Sequence, residues 1–270
     1  MDRLLGKPLA EKLLSKALEL RSELGPIRLT CFLDPHSPES LDYLKQLKRV
    51  GETLKTDVVS FPIETETDVK RALALIKKPQ PIGSFAALRP LSVKGVSALY
   101  ELPFDRDPDC SSSLRKAQIY DGDPKAFLPA TARAVMTLID STGINLTGRR
   151  ALVVGRSPSV GLPVFHALMR RDCFASLAHS KVSIEDIRYR ARESDVIVMA
   201  SGVRGLISLD DLRSGQIIVD CGYSSADGMG DLGFVPPTEM PGFYTPVPGG
   251  VGPLTAISMF LNAYEMMRLI

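Results

Sequence analysis

The sequence predicts a two-domain α/β protein whose second domain is Rossmann-like. A chain of 270 residues is long enough to form two modest hydrophobic cores. Short apolar runs typical of buried strands alternate with apolar residues at helical spacing along almost the whole chain. A glycine-punctuated turn from Gly155 to Gly161 joins one such strand to one such helix. Because alternating units imply right-handed crossovers, we expect mostly parallel sheets.

The first half begins with a long predicted helix. Leucines and alanines at helical spacing span residues 4–24, and Gly25 and Pro26 end the pattern. The elements that follow are predicted as a strand at 27–33, a helix from Ser37 to about Leu54, a strand at 58–61, a helix at 65–76 and a strand at 82–88. The polar stretch 105–123 has no period, which predicts a loop.

The second half repeats the alternation. Gly143 ends a predicted helix at 131–142, and the glycine-punctuated turn lies between a strand at 150–154 and a helix at 162–169. Further strands are predicted at 176–178, 196–200 and 216–220. Asp227 and Gly228 indicate a hairpin-type turn, and an amphipathic helix at 254–269 closes the chain and could return to the first domain.

Composition and charge favour small-molecule chemistry. The formal net charge of +2 gives no argument for binding nucleic acid or an anionic membrane. No apolar run is long enough to span a bilayer and the N-terminus lacks a signal peptide, so the expected location is the cytoplasm. The four cysteines form no C-x-x-C pair and the three histidines lack metal-site spacing. We therefore expect reduced thiols and no metal site.

The turn from Gly155 to Gly161 predicts a dinucleotide site. It joins the carboxyl end of a predicted strand to the start of a predicted helix, where free N–H groups and the helix dipole favour an anion. The spacing departs from G-x-G-x-x-G, because Arg156 and Ser157 stand where the second glycine is usual. The alternative is a strand–turn–helix connection whose glycines serve only close packing.

A second motif carries a family resemblance. The segment Pro246-Val247-Pro248-Gly249-Gly250-Val251-Gly252-Pro253-Leu254-Thr255 closely resembles the signature of the methylenetetrahydrofolate dehydrogenase/cyclohydrolase family of the FolD type. Segments 5–10, 127–131, 155–163, 179–181 and 219–222 agree with it in order. The resemblance covers essentially the whole length and is closer after Phe127. It implies a folate-binding catalytic domain at 1–130, joined by the helix 253–270, and a Rossmann-like NADP-binding domain at 131–252, which enclose a cleft.

The resemblance also implies which residues bind the ligands. The candidate catalytic residues are Tyr43 and Asp109. The residues expected to bind the folate are Tyr43, Asp109, Pro248, Gly249, Gly250 and Val251. The residues expected to bind the cofactor are Gly155, Arg156, Ser157, Ser180 and, with an unusual side chain for its position, Tyr223. Tyr43 could instead be an ordinary helix aromatic, and Asp109 a loop-capping acid.

The predicted cofactor is NADP rather than NAD. Many NAD enzymes place an acidic residue after the second Rossmann strand, where this chain has Ser180 and Lys181. Together with Arg156, these side chains suit an additional phosphate. The alternative is that Arg156 and Lys181 are solvated surface cations.

The first half departs from the family at two catalytic positions. The family carries a lysine four residues after the tyrosine, on the same helix face, but this chain has Leu47 there. Lys48 is turned by roughly 100° around the helix. The family's glutamine is replaced by Ala87 or Leu88, and the family's glycine after the acidic anchor is replaced by Cys110.

These departures predict a dehydrogenase that has lost most of its second activity. Hydride transfer depends chiefly on positioning, whereas opening the methenyl ring with water needs acid–base assistance, worth roughly 100- to 10,000-fold. The expected reaction is NADP-dependent oxidation of methylenetetrahydrofolate to methenyltetrahydrofolate. The alternatives are a bifunctional enzyme with a substitute base such as Lys48, a non-catalytic folate- or nucleotide-binding paralogue, and a related reductase. Partners implied are a tetrahydrofolate derivative and, from the resemblance, a second copy of the chain in a homodimer.

Overall fold

The computed structural model describes residues 1–78, 83–224 and 227–269. All pairings between the described strands are parallel, which confirms the predicted α/β class. The chain divides into two compact units, and each has its own sheet. The six-stranded unit contains Met1–Glu11, Ile119–Pro124 and Thr131–Thr255, and the three-stranded unit contains Lys12–Gln118, Lys125–Ala130 and the chain from Ala256. The domain boundaries expected from the sequence stay a prediction.

The elements alternate as expected. The strands are β1 (Asp2–Arg3), β2 (Arg28–Leu33), β3 (Asp57–Pro62), β4 (Gly83–Ala87), β5 (Arg150–Val154), β6 (Phe174–Ala178), β7 (Val196–Met199), β8 (Gln216–Asp220) and β9 (Gly242–Tyr244). The helices are α1 (Gly6–Leu24), α2 (Pro38–Leu54), α3 (Glu66–Lys77), α4 (Ser113–Tyr120), α5 (Ala130–Ser141), α6 (Gly161–Met169), α7 (Ile184–Glu193) and α8 (Gly252–Met267). Ile82 of the strand predicted at 82–88 lies outside the described residues.

Side-chain caps start two helices of the three-stranded unit, α2 and α3. Ser37 caps α2 by accepting a hydrogen bond from the Ser40 N–H, and Pro38 follows it in the first turn. Thr65 and Asp68 form a reciprocal capping box at the start of α3. Both starts were predicted from the sequence. The strands run in the order β3-β2-β4, so that β2 is central.

The six-stranded sheet has the order β1-β9-β8-β7-β5-β6. From β5 the chain first crosses to β6 on one side, and later returns to β7 on the other side. This reversal is the topological switch point of a doubly wound sheet, where ligands bind beyond the carboxyl ends of the strands. The two central strands of this sheet are β8 and β7. Both are buried along their whole length, as is typical of parallel strands that are covered on both faces.

The prediction of a loop over 105–123 is wrong. The segment contains α4 and a short 3-10 helix, Phe104–Arg106. Its order comes from Arg115, whose guanidinium donates to the Phe104 carbonyl and lies 3.7 Å from the Phe104 ring centroid and 5.2 Å from that of Phe127. Arg115 is 11 residues from Phe104 and 12 from Phe127. The apolar periodicity of a short segment does not indicate contacts at such a separation.

Two features of the C-terminal part differ from prediction. The closing helix is not amphipathic, since α8 is buried on all sides from Leu254 to Tyr264. The turn at Asp227 and Gly228 is closed by a main-chain hydrogen bond between Ser224 and Met229, but it does not join two antiparallel strands of the sheet, because β8 and β9 run parallel. Strand β9 and the short β1 beside it were not predicted. In the described residues, no helix is long and apolar enough to cross a membrane.

Candidate active site

The turn after β5 places main chain at the switch point. Gly155 has φ 120° and donates its N–H to the Ala178 carbonyl at 2.9 Å. A Cβ at this position would lie 2.0 Å from the Ala200 carbonyl oxygen, which follows β7. Gly155 therefore touches the ends of both strands that neighbour β5. Only glycine combines this backbone angle with this close approach.

The start of α6 is just as closely packed. A Cβ on Gly161 would lie 1.9 Å from the Gly155 carbonyl oxygen. The Ser157 hydroxyl accepts from the N–H groups of Val160 at 3.2 Å and Gly161 at 3.3 Å. Ser157 therefore orders the helix start, while its O–H remains a donor that an anion can use.

Exposed cations surround this turn. Arg156 follows Gly155, and Ser180 and Lys181 follow β6, the neighbouring strand. All three side chains are exposed, and within the described chain Arg156 and Lys181 make no ion pair. Tyr223, beyond the end of β8, is 56% exposed. The predicted cofactor residues therefore lie at the carboxyl edge of one sheet.

The proline- and glycine-rich loop that precedes α8 is held by the N-terminus of α1. Gly249 has φ 115°, and its carbonyl accepts from the Gly6 N–H at 2.8 Å. A Cβ on Gly6 would lie 1.9 Å from the Gly250 carbonyl oxygen. This contact explains the glycine in the opening Leu5-Gly6-Lys7 segment. Gly250 and Val251 are buried, whereas Pro248 is exposed.

In the three-stranded unit, Tyr43, Asp109 and Cys31 form one cluster. Burial raises the pKa of Tyr43 well above its usual value, and the charges of Asp109 and Cys31 raise it further. Burial also raises the pKa of Cys31 to about 12, so this thiol stays protonated. The Tyr43 hydroxyl is buried and has no hydrogen-bond partner among the described residues. Such a group is poised to bond a ligand.

Asp109 is a partly buried acid with one main-chain donor. Its Oδ1 accepts from the Ala130 N–H at 3.0 Å. Burial raises the pKa of Asp109 to about 7, the charge of Asp107 adds to the rise, and the charge of Arg89 opposes it. At neutral pH the group therefore populates both the acid and the carboxylate.

The loop that carries Asp109 is fixed from both sides. The Asp107 carboxylate accepts from the N–H groups of Ser111 and Ser112 at 3.0 and 2.8 Å, just before α4. From α8, the Asn262 amide donates to the carbonyls of Pro108 and Leu128 at 2.7 and 2.8 Å. Cys110 adopts φ 50° at the position of the family's glycine. The backbone there keeps the left-handed conformation that glycine favours.

Comparison with known proteins identifies the family. The family model for the tetrahydrofolate dehydrogenase/cyclohydrolase NAD(P)-binding domain matches residues 129–269. A protein from Rubrobacter xylanophilus, named bifunctional protein FolD 1, is 32% identical over 100% of this chain and 98% of its own. The chain belongs to the tetrahydrofolate dehydrogenase/cyclohydrolase family. The resemblance seen in the sequence is thereby confirmed.

Solved structures of family members share the fold. The bifunctional methylenetetrahydrofolate dehydrogenase/cyclohydrolase of Thermoplasma acidophilum is 28% identical, with complete coverage of both chains and a TM-score of 0.86. The FolD enzyme of Campylobacter jejuni is 24% identical, covers 100% of this chain and 99% of its own, and has a TM-score of 0.90. The Rossmann-like architecture of the six-stranded unit is that of the family.

This family member has apolar side chains where the resemblance implies a lysine and a glutamine. Leu47 is 0% exposed and belongs to the buried stripe of α2. Ala87 and Leu88, the two candidates for the glutamine position, are both buried at the end of β4 and just beyond it. Lys48 is exposed, and its charge lowers the pKa of Cys31. A positive charge therefore acts on the cluster from the neighbouring helix position.

Sequence reasoning missed Cys31 and the role of Arg89. Both lie at the carboxyl edge of the three-stranded sheet, Cys31 within β2 and Arg89 just beyond β4. Arg89 directly follows the positions matched to the family's glutamine, but only the fold relates its charge to Asp109. The available signal was positional, since ligands of parallel sheets bind beyond the carboxyl ends of the strands.

Proposed function

We propose that this protein oxidises methylenetetrahydrofolate to methenyltetrahydrofolate with NADP and has little cyclohydrolase activity. The single observation that carries the proposal is the complete burial of Leu47 in the position of the family lysine, beside a Tyr43–Asp109 pair that is retained. The dehydrogenase needs the retained pair, and the hydrolysis needs the lost lysine.

The dehydrogenase assignment rests on positioning. Bound NADP supplies the ring that accepts the hydride, so the protein needs chiefly to hold the two reactants in contact. In our proposal, Asp109 accepts hydrogen bonds from the amino and ring N–H groups of the pterin, and the unpaired Tyr43 hydroxyl lies against the same ligand. Pro248, Gly249, Gly250 and Val251 supply main chain that ligands can approach closely.

The preference for NADP rests on the charges at the switch point. Gly155 and Gly161 leave a cradle that a Cβ would fill, and Ser157 offers a hydroxyl donor. Arg156, Ser180 and Lys181 are exposed donors on neighbouring strand ends, without an acid that would grip a ribose hydroxyl. An arginine fork and a lysine charge suit the additional phosphate. Tyr223 completes the proposed cofactor set.

Weak cyclohydrolase activity follows from two apolar replacements. Water attack on the methenyl group requires proton transfer, to which a lysine tuned by a glutamine is suited. Neither Leu47 nor Ala87 can move a proton. Cys31, with its pKa near 12, is not a substitute base.

One observation favours a second candidate, a bifunctional enzyme in which Lys48 acts instead. The charge of Lys48 reaches Cys31, which lies beside Tyr43 and Asp109. In that case a Lys48→Met variant would lose cyclohydrolase activity and keep the dehydrogenase. In our leading proposal, Lys48→Met changes neither rate.

The decisive experiment follows methenyltetrahydrofolate by absorbance, with NADP and NAD in parallel. We expect product to accumulate with NADP and to hydrolyse at the buffer rate. The double variant Leu47→Lys/Ala87→Gln is expected to raise the hydrolysis rate by about 100-fold or more, and Leu47→Met serves as the steric control. No product with either cofactor would contradict the dehydrogenase and favour a binding paralogue.

We also propose a cytoplasmic homodimer that associates through the outer edge of the six-stranded sheet. Strand β6 is one of the two edge strands of this sheet. Phe174 at its start and Tyr189 of α7 are 67% and 54% exposed. They line a concavity of about 250 Å³. Exposed aromatic side chains are typical of interface centres. Sedimentation of the wild type and of Phe174→Asp tests this, and a wild-type monomer would refute it.

A further inference from the structure

Arg89 emerges at the carboxyl edge of the three-stranded sheet. The Leu88 N–H donates to the Phe32 carbonyl at 2.8 Å, so the pairing of β4 with β2 continues to the residue before Arg89. The Ser40 hydroxyl donates to the Arg89 carbonyl at 3.2 Å. Ser40 is buried and precedes Tyr43 by three residues, which places both on one face of α2. The backbone of Arg89 is therefore tied to the helix that carries Tyr43.

The Arg89 guanidinium is held on an aromatic platform. Its central carbon lies 3.7 Å from the Tyr100 ring centroid. Stacking on a ring face orients the planar group and leaves its edge N–H groups free to donate. Arg89 is exposed and makes no salt bridge within the described part of the chain. Its donors are therefore available to a ligand.

Arg89 and Asp109 lie close enough for their charges to interact. The charge of Arg89 opposes the rise in the pKa of Asp109 that burial and Asp107 cause. Tyr43, Cys31, Asp107 and Lys48 are the other charged or titratable groups here. Asp109 acts on Tyr43 and Cys31, Asp107 acts on Asp109, and Lys48 acts on Cys31. Since Leu47 and Ala87 are apolar, Arg89 brings a positive charge from β4 to a site that lacks the lysine of α2.

A carboxylate beside a guanidinium matches one particular ring edge. The pterin of a folate presents an amino group and a ring N–H, both donors, followed by the carbonyl oxygen at position 4, an acceptor. We infer that Arg89 and Asp109 together recognise this edge, with Asp109 accepting from the two donors and Arg89 donating to the carbonyl oxygen. Arg89 is thus a specificity-determining residue of the substrate site, an inference that rests on the proposed function. A guanidinium never gives up its proton at ordinary pH, so it orients the ring without acting as a base.

The sharpest test compares two ligands that differ along the recognised edge. Tetrahydrofolate carries the 4-oxo group and a proton on N3. Its 4-amino analogue, tetrahydroaminopterin, turns donors toward the guanidinium and lacks the N3 proton that Asp109 accepts, so both residues contribute to the discrimination. By titration calorimetry, the wild type is expected to bind tetrahydrofolate about 10- to 100-fold more tightly than the analogue, as loss of a charged hydrogen bond predicts. Arg89→Leu is expected to reduce this discrimination by about 10-fold, and the part that comes from Asp109 remains. Equal discrimination in the two proteins would overturn the inference.

Turnover gives a second readout that a purely structural role would not change. Arg89→Leu is expected to raise KM for methylenetetrahydrofolate about 10- to 100-fold and to leave NADP affinity unchanged. Removing its charge raises the pKa of Asp109, so the ascending acid limb of kcat/KM moves to higher pH. Arg89→Lys keeps the charge and loses the fork, so the limb stays in place while KM rises. The control is Arg71→Leu, because Arg71 also stacks on a ring, that of Phe61, but pairs with Asp68.

Failure of the inference is distinguishable from failure of the proposed function. Binding of tetrahydrofolate with Arg89-dependent discrimination, but without turnover, supports the inference and overturns only the dehydrogenase. Turnover by the wild type with an unchanged KM in Arg89→Leu overturns only the inference. A wild-type protein that binds neither pterin overturns both. Unaltered NADP affinity of each variant reports that the protein is folded.

Discussion

The two units differ in what a ligand would meet. The six-stranded unit offers main chain, shaped by Gly155, Gly161 and Gly249 at positions where a side chain has no room or the backbone angle favours glycine. The three-stranded unit offers side chains. Around Tyr43 and Asp109 its positive charges come from Arg89 and Lys48. A ligand contact made by main chain depends on the conformation of the whole turn, so replacing one of its glycines disturbs the turn itself. Chemistry through a side chain changes with one residue, as Leu47 illustrates.

The largest expected effect concerns the main chain of the six-stranded unit. Gly155→Ala should lower the free energy of unfolding by about 3–5 kcal/mol, because its Cβ would lie 2.0 Å from a carbonyl oxygen. Gly148→Ala is the control, since Gly148 also has positive φ but has nothing within 4 Å of the added Cβ. It should cost about 1 kcal/mol. Denaturant unfolding measures both, and equal costs would contradict the close-approach argument.

The next effect tests whether the hydrogen bonds that hold the Asp109 loop in the three-stranded unit are also sensitive to substitution. Asn262→Leu removes donors from the carbonyls of Pro108 and Leu128. Leaving buried carbonyls unpaired should cost about 2–4 kcal/mol and raise KM for the folate, because the loop of Asp109 loosens. Asn145→Ala, at an exposed position with one local hydrogen bond from the Thr147 N–H, should cost less than about 1 kcal/mol and leave KM unchanged. A stable Asn262→Leu protein with normal KM would show that the hydrogen bonds of Asn262 are not needed to hold the Asp109 loop.

A smaller effect is expected from a charged side chain at the cofactor turn. Arg156→Ala should weaken NADP binding about 10-fold and leave NAD binding nearly unchanged, since only the additional phosphate meets the guanidinium. Calorimetric titration with both dinucleotides measures the ratio. Equal loss for both would mean that Arg156 supports the turn rather than selecting the cofactor.

The last expected effect is the pH dependence contributed by Asp109. Its pKa is raised from 3.8 to about 7 in the folded protein, so the folded state binds more protons than the unfolded state between these values. The free energy of unfolding contributed by this group therefore falls as pH rises through that window. Asp109→Asn should remove this fall, which amounts to about 1.4 kcal/mol for each pH unit within the window. Unfolding of both proteins at about pH 5 and about pH 8 checks the sign, and parallel pH dependences would contradict it.

Local patterns were sufficient where local physics decides the structure. The Ser37-Pro38-Glu39 start and apolar periods predicted α2 and α3, and the alternation of elements predicted parallel sheets. The helix α4 was missed because Arg115 orders it through contacts with Phe104 and Phe127. The even burial of α8 was missed because its polar residues, such as Asn262, bond to segments far away in the chain.

The sequence by itself determined the fold class, the family and the absence of the expected lysine, because glycine turns, periods and motifs are written in adjacent residues. The tertiary structure alone decided that Leu47 is buried, that Tyr43 shares its surroundings with Cys31 and Asp109, and that Arg89 acts on that acid. Burial and electrostatic environment depend on which strand ends meet at one sheet edge. A local sequence pattern does not show which residues from distant parts of the chain will lie next to one another.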